Sequence, residues 1–116
     1  MNNIVAPGLH LLIDFWGAKE LTNQPLIERT LRKAAEDCGA TVLNVMLHSF
    51  GENAGITGVA ILAESHISIH TWPETGYAAI DIFMCGSCDP HKAILALKET
   101  FLPEKEKITD FKRGDS

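Results

Sequence analysis

The run LAESHISIHTWPE, residues 62–74, sets two imidazoles, two serine hydroxyls, a threonine hydroxyl and two carboxylates close together on one short stretch of chain. Ile67 and Ile69 alternate with His66, Ser68 and His70 at the period of two that a β-strand requires, so the polar side chains share one face. Solvated strands usually carry Thr, Lys and Glu, which makes a merely exposed surface a poor account of this composition. Farther on, CGSC (85–88) adds two thiols. One chemistry to weigh is a zinc site from His66, His70, Cys85 and Cys88, since zinc takes four such ligands. In a strand, however, residues four apart are separated by ~13 Å and cannot share one ion, so no metal is expected. A thioredoxin-like redox pair in CGSC is opposed by the antiparallel look of the strands and by Asp89 beside Cys88.

The elements that must position these groups are legible from period and punctuation. GLHLLIDFWG (8–17) reads as a first strand bounded by glycines. Asn23 and Pro25 open a helix whose Leu26, Ile27, Thr30, Leu31 and Ala34 form one stripe, and Gly39 stops it. Residues 40–50 and 56–64 read as strands two and three. SHISIHTW (65–72) is strand four, PETG a turn with Pro73 at its second position, and YAAIDIFMC (77–85) strand five. Asp89 caps a second helix carrying Ile94, Leu95, Leu97 and Phe101 near one face, and KITDFKRG is a last short strand. The order β-α-β-β-β-β-α-β with short connections predicts an α+β fold: an antiparallel sheet with two helices packed on one face, in a single domain over 1–116. Ile80, Ile82 and Met84 belong to the helix-covered side, which leaves His66, Ser68, His70, Tyr77, Asp81 and Cys85 on the other.

Composition bounds the partners. An apolar share of 46% and a charged share of 22% are those of an ordinary globular protein. A net charge of −5 without a basic cluster argues against nucleic acid and suits a cationic substrate. No apolar run approaches the ~20 residues of a membrane span, and the N-terminal residues lack the pattern of a secretory signal, so a cytoplasmic protein is expected. Three cysteines do not suggest a disulfide framework, and Cys38 reads as structural.

If strands four and five pair with Trp72 opposite Tyr77, then His70 faces Ala79, Ser68 faces Asp81 and Glu64 faces Cys85. That register sets a thiol beside the Glu64–Ser65 bond. His70 lies ~17 Å from Ser65 along the same strand and cannot serve it. The expectation is a homodimer in which open sheet faces meet about a two-fold axis, with two sites that each combine Ser65 and Cys85 of one chain with His70 of the other.

ESHISIHTWPE followed by GYAAIDIFMCG closely resembles the short prokaryotic type of pyruvoyl-dependent S-adenosylmethionine decarboxylase proenzyme, and GLHLLIDFWG, AAEDCGATVLN and KRG extend the likeness over nearly the whole chain. The resemblance implies self-cleavage between Glu64 and Ser65 into fragments 1–64 and 65–116. Ser65 attacks the Glu64 carbonyl in an N→O acyl shift, and β-elimination and hydrolysis leave a pyruvoyl group that forms a Schiff base with substrate. By the same resemblance His70 takes the proton in the elimination, Thr57 supports processing, and Cys85 returns a proton in catalysis. The resemblance also implies that Glu74 holds ribose hydroxyls and that Phe50 stacks on adenine. The implied activity is decarboxylation of S-adenosylmethionine for spermidine synthesis. Arginine or ornithine decarboxylation with the same cofactor, or an unprocessed regulatory homologue, are the alternatives. His66, Ser68 and Cys88 receive no role.

Overall fold

In the computed structural model, which describes residues 8–114, the chain builds β1 (Gly8–Trp16), α1 (Gln24–Asp37), β2 (Val42–Ser49), β3 (Ile56–Leu62), β4 (Ser65–Trp72), β5 (Tyr77–Cys85), α2 (Ile94–Phe101) and β6 (Lys105–Arg113). The strands form one six-stranded sheet in the order β2-β3-β4-β5-β1-β6, every neighbouring pair antiparallel. Alternation decides which side is covered. Leu11, Ile13 and Phe15 of β1, Ile67 and Ile69 of β4, and Ile80, Ile82 and Met84 of β5 are buried with Ile27, Leu31 and Ala34 of α1 and Leu97 and Phe101 of α2. Their intervening neighbours make the opposite, open face.

The helix ends follow from their capping residues. The Asn23 side chain accepts the Leu26 N–H at 3.2 Å, Pro25 occupies the first turn, and Gly39 leaves in the left-handed region at φ +85°. There the Gly39 and Ala40 N–H groups donate to the Glu36 and Ala35 carbonyls, satisfying acceptors that the helix itself cannot. Asp89 accepts the His91 N–H at 3.0 Å, as expected of a cap. The segment it opens begins as a 3₁₀ turn, Pro90–Ala93, before α2 proper. Leu95 departs from the expected stripe: it is 67% exposed, because it lies within regular α2 two residues before Leu97, and residues two apart on an α-helix point to opposite sides. β6 starts at Lys105 rather than 107, since β1 offers it a partner as far as Trp16.

The turn between β4 and β5 closes with the Thr75 N–H donating to the Trp72 carbonyl at 3.2 Å. Gly76 sits at φ +72°, a left-handed conformation that favours glycine. Among the described residues no helix is long and apolar enough to cross a membrane.

Phe101 is fully buried against Phe15, with ring centroids 6.5 Å apart, and joins α2 to the sheet. Phe101→Ala should lower the unfolding free energy by roughly 3–5 kcal/mol, read by denaturant titration at one fixed protein concentration.

Candidate active site

The hairpin from β3 to β4 leaves only Ala63 and Glu64 outside the ladder, because Leu62 already pairs with Ser65. Reversing the chain so tightly puts Glu64 at φ +63°, a left-handed conformation that costs a non-glycine residue on the order of 1–3 kcal/mol. A strained residue therefore supplies the carbonyl of the Glu64–Ser65 bond. The Ser65 hydroxyl oxygen accepts the backbone N–H of Cys85 at 3.2 Å, and the Cys85 thiol is free and half-buried. The β4–β5 register is the expected one, with Trp72 opposite Tyr77, His70 opposite Ala79 and Ser68 opposite Asp81. One detail is corrected: Glu64 does not continue the ladder to face Cys85, because the reversal takes it out of the strand. Its neighbour Ser65 makes the contact instead.

Thr57, His70, Glu74 and Phe50 gather at the other end of β4. Thr57 and His70 are cross-strand partners, and Oγ1 of one lies 3.2 Å from Nδ1 of the other. With Phe50, Asn53, Trp72 and Glu74 they line a cavity of about 680 Å³. The Phe50 ring is 66% exposed and stands edge-on to His48, centroids 4.7 Å apart, which leaves it open to a planar group. Thus the residues singled out in the sequence form two groups. Glu64, Ser65 and Cys85 meet at one end of the strand, and Thr57, His70, Glu74 and Phe50 at the other.

Between these ends lies a polar cluster that sequence reading named only in part. Asp81 accepts from His10 Nε2 through one carboxylate oxygen, and from His66 Nε2 at 3.2 Å and the Ser68 hydroxyl at 3.3 Å through the other. Arg113 lies 2.8 Å from His10 Nδ1. A guanidinium can only donate, so Nδ1 is the bare nitrogen and the His10 proton sits on Nε2, directed at Asp81. Burial pushes the Asp81 pKa upward, but the His10 and His66 donors outweigh it and hold the carboxyl below its ordinary value. Ligating atoms of His10, His66 and Asp81 lie within 4.8 Å of one another. With the His10 proton already placed between two of them, they fit a hydrogen-bonded set better than an ion cage. The His66, His70, Cys85, Cys88 set weighed from sequence does not assemble, since His66 turns to Asp81 and His70 to Thr57.

His10 was the omission, and the signal for it was present. The alternation in GLHLLIDFWG puts His10, Leu12, Asp14 and Trp16 on the face opposite Leu11, Ile13 and Phe15. Asp14 meets Tyr77 there: the phenol donates to its carboxylate, which together with burial pushes the Tyr77 pKa up to about 12. The Tyr77 ring lies between Trp16 and Trp72, centroids 5.9 and 5.3 Å away.

Because folding depresses the Asp81 pKa, its stabilisation is complete above the unfolded carboxylate range and is lost as pH falls through the folded value. Asp81→Asn should lower the melting temperature at neutral pH, and the gap to the native protein should close in acid. A gap that stays constant across that range would contradict this assignment.

The S-adenosylmethionine decarboxylase family model matches residues 9–114. An S-adenosylmethionine decarboxylase proenzyme of Methanococcus maripaludis strain C7 is 48% identical over 110 residues, 92% of this chain and 89% of that protein. The Thermomicrobium roseum proenzyme of the same name is 38% identical over 92% of this chain and 93% of its own length. Among solved structures, the adenosylmethionine decarboxylase of Aquifex aeolicus superposes with a TM-score of 0.84 at 32% identity, covering 96% of this chain and 93% of that one. The Trypanosoma brucei AdoMetDC-delta26 monomer shares the fold at a TM-score of 0.60 and 20% identity, and this chain spans only 44% of that longer one. On these grounds the chain belongs to the S-adenosylmethionine decarboxylase family.

Proposed function

We propose that the protein is a self-cleaving S-adenosylmethionine decarboxylase that provides the aminopropyl donor for polyamine synthesis, working as a homodimer with two shared sites. The observation that carries this reading is the placement of Ser65 directly after the left-handed Glu64, with Cys85 against it. The Ser65 oxygen attacks the Glu64 carbonyl, exchanging an amide for an ester and releasing the strain of a non-glycine residue at φ +63°. The cut falls in a turn, so fragments 1–64 and 65–116 stay paired through the β3–β4 ladder. The site therefore suits a cofactor made from residue 65. Once formed, the pyruvoyl group supplies a carbonyl that takes up the electron pair left as CO₂ departs.

The chain's own groups divide the remaining work. His70, held by Thr57, is the base for the Ser65 Cα proton. Cys85, adjoining residue 65, delivers a proton to the substrate α-carbon. Glu74 receives ribose hydroxyls and Phe50 stacks on the adenine, both in the 680 Å³ cavity. The net charge of −5 favours a substrate that carries a sulfonium.

The dimer follows from distance. Five residues of strand separate Ser65 from His70 by ~17 Å, so each group of one chain must be completed by its partner. Exchanging position 65 for position 70 of the partner subunit fixes the two-fold axis midway along β4, beside Ser68 and the Asp81 cluster. Leu12, Met46, Ile61, Trp72 and Phe111 leave exposed apolar area on the same open face, as a buried interface requires.

Intact mass of the purified protein should give the two fragments, the 65–116 piece ending in a blocked pyruvoyl terminus. Ser65→Ala should remain one uncut chain. CO₂ release from carboxyl-labelled substrate should be seen with S-adenosylmethionine and not with arginine or ornithine. Cys85→Ala should cleave normally yet lose roughly 10²–10⁴-fold in turnover. An uncut native chain, or turnover of arginine or ornithine instead, would overturn the proposal.

A further inference from the structure

CGSC is half used by the proposed reaction, in which Cys85 delivers a proton and Cys88 does nothing. The two are joined by a tight turn. The Cys88 N–H points to the Cys85 carbonyl at 3.4 Å, and Gly86 holds φ +67° between them. A turn closed in this way brings the α-carbons at its ends within ~7 Å, at the upper edge of what a disulfide spans. A Cβ built on Gly86 would meet nothing within 4 Å, so the turn has open space in which to tighten. Both thiols are free and half-buried, which leaves them within reach of small oxidants.

The third thiol is a poor competitor. Cys38 is 5% exposed, and burial, with Asp89, Cys88 and Asp37 nearby, pushes its pKa up to about 12. The first attack on an oxidant is given to Cys85, the thiol that the proposed reaction also uses, and Cys88, at the other end of the same turn, is placed to resolve it.

We propose that Cys85 and Cys88 form a reversible disulfide under hydroperoxide stress, which withdraws the Cys85 thiol from the reaction and spares it irreversible oxidation. The Cys85 sulfur attacks a peroxide oxygen, the O–O bond breaks, and a sulfenic acid and an alcohol or water result. The Cys88 sulfur then attacks the sulfenic sulfur, the S–O bond breaks, and the departing hydroxide leaves as water with the Cys88 proton. Two thiols have lost one electron each and the peroxide has gained two. The loss of activity rests on Cys85 being the proton donor, whereas the bond itself does not.

The processed enzyme is treated with hydrogen peroxide, alkylated, digested without reduction and mapped by mass, with CO₂ release measured before and after dithiothreitol. The native protein should show a Cys85–Cys88 bridge, a loss of about a hundredfold or more in turnover, and recovery on reduction. Cys88→Ser, and Cys88→Ala as a second variant, should match native turnover under reducing conditions, form no bridge, and lose activity to peroxide without recovery. A Cys38–Cys88 bridge, sulfinic acid at Cys85 with Cys88 left free, or equal recovery of the Cys88 variants would overturn the proposal. A bridge that leaves turnover unchanged overturns its inhibitory half and traces the failure to the role given to Cys85.

Discussion

The pleat and rise of β4 are the constraint on which the rest depends. Successive side chains point to opposite faces, and each residue advances the chain by about 3.3 Å. Ser65 and His70 are thereby fixed at opposite ends of one rigid strand, each next to a different set of helpers. No rotamer can bring them together within one chain. In the proposed reaction, a second copy turned about an axis beside Ser68 is what would supply the missing half.

That rigidity is supplied by the covered face. Ile67 and Ile69 are completely buried among the apolar residues of β1, β5, α1 and α2, so a one-residue slip of β4 would expose both and bury His66, Ser68 and His70. The open face is arranged on the opposite plan. Its polar groups satisfy one another across strands: His10, His66 and Ser68 on Asp81, Tyr77 on Asp14, and Thr57 on His70. A face built this way tolerates burial against another copy of itself, because few polar atoms are left without partners.

Much of this was legible from period and punctuation. Alternation gave the covered and open sides of β5, Asn23, Pro25 and Gly39 gave α1, and the PETG turn gave the β4–β5 register. What escaped had tertiary causes. Nothing local shows that β1 lies between β5 and β6, and only that placement brings His10 to Asp81, Arg113 to His10 and Asp110 to His91. The conformation of Glu64 escaped because the reversal between Leu62 and Ser65 falls on Ala and Glu, which carry no turn signal. Leu95 was misplaced for a simpler reason: Leu95 and Leu97 are two residues apart, and an α-helix cannot turn both to one face. Phe50 and Glu74 were picked out in the sequence through family resemblance alone, and their gathering around Thr57 and His70 came only with the structure, since they arrive from two separate loops.

The division of one strand into two half-sites is tested most directly by mixing chains. Ser65→Ala chains keep His70 and Thr57, and His70→Ala chains keep Ser65 and Cys85, so neither should form a pyruvoyl terminus alone. In heterodimers exactly one composite site is intact, and mass spectrometry should find the pyruvoyl 65–116 fragment from the His70→Ala chain only. No such fragment in confirmed heterodimers, or its formation by the His70→Ala chain without a partner, would contradict the account.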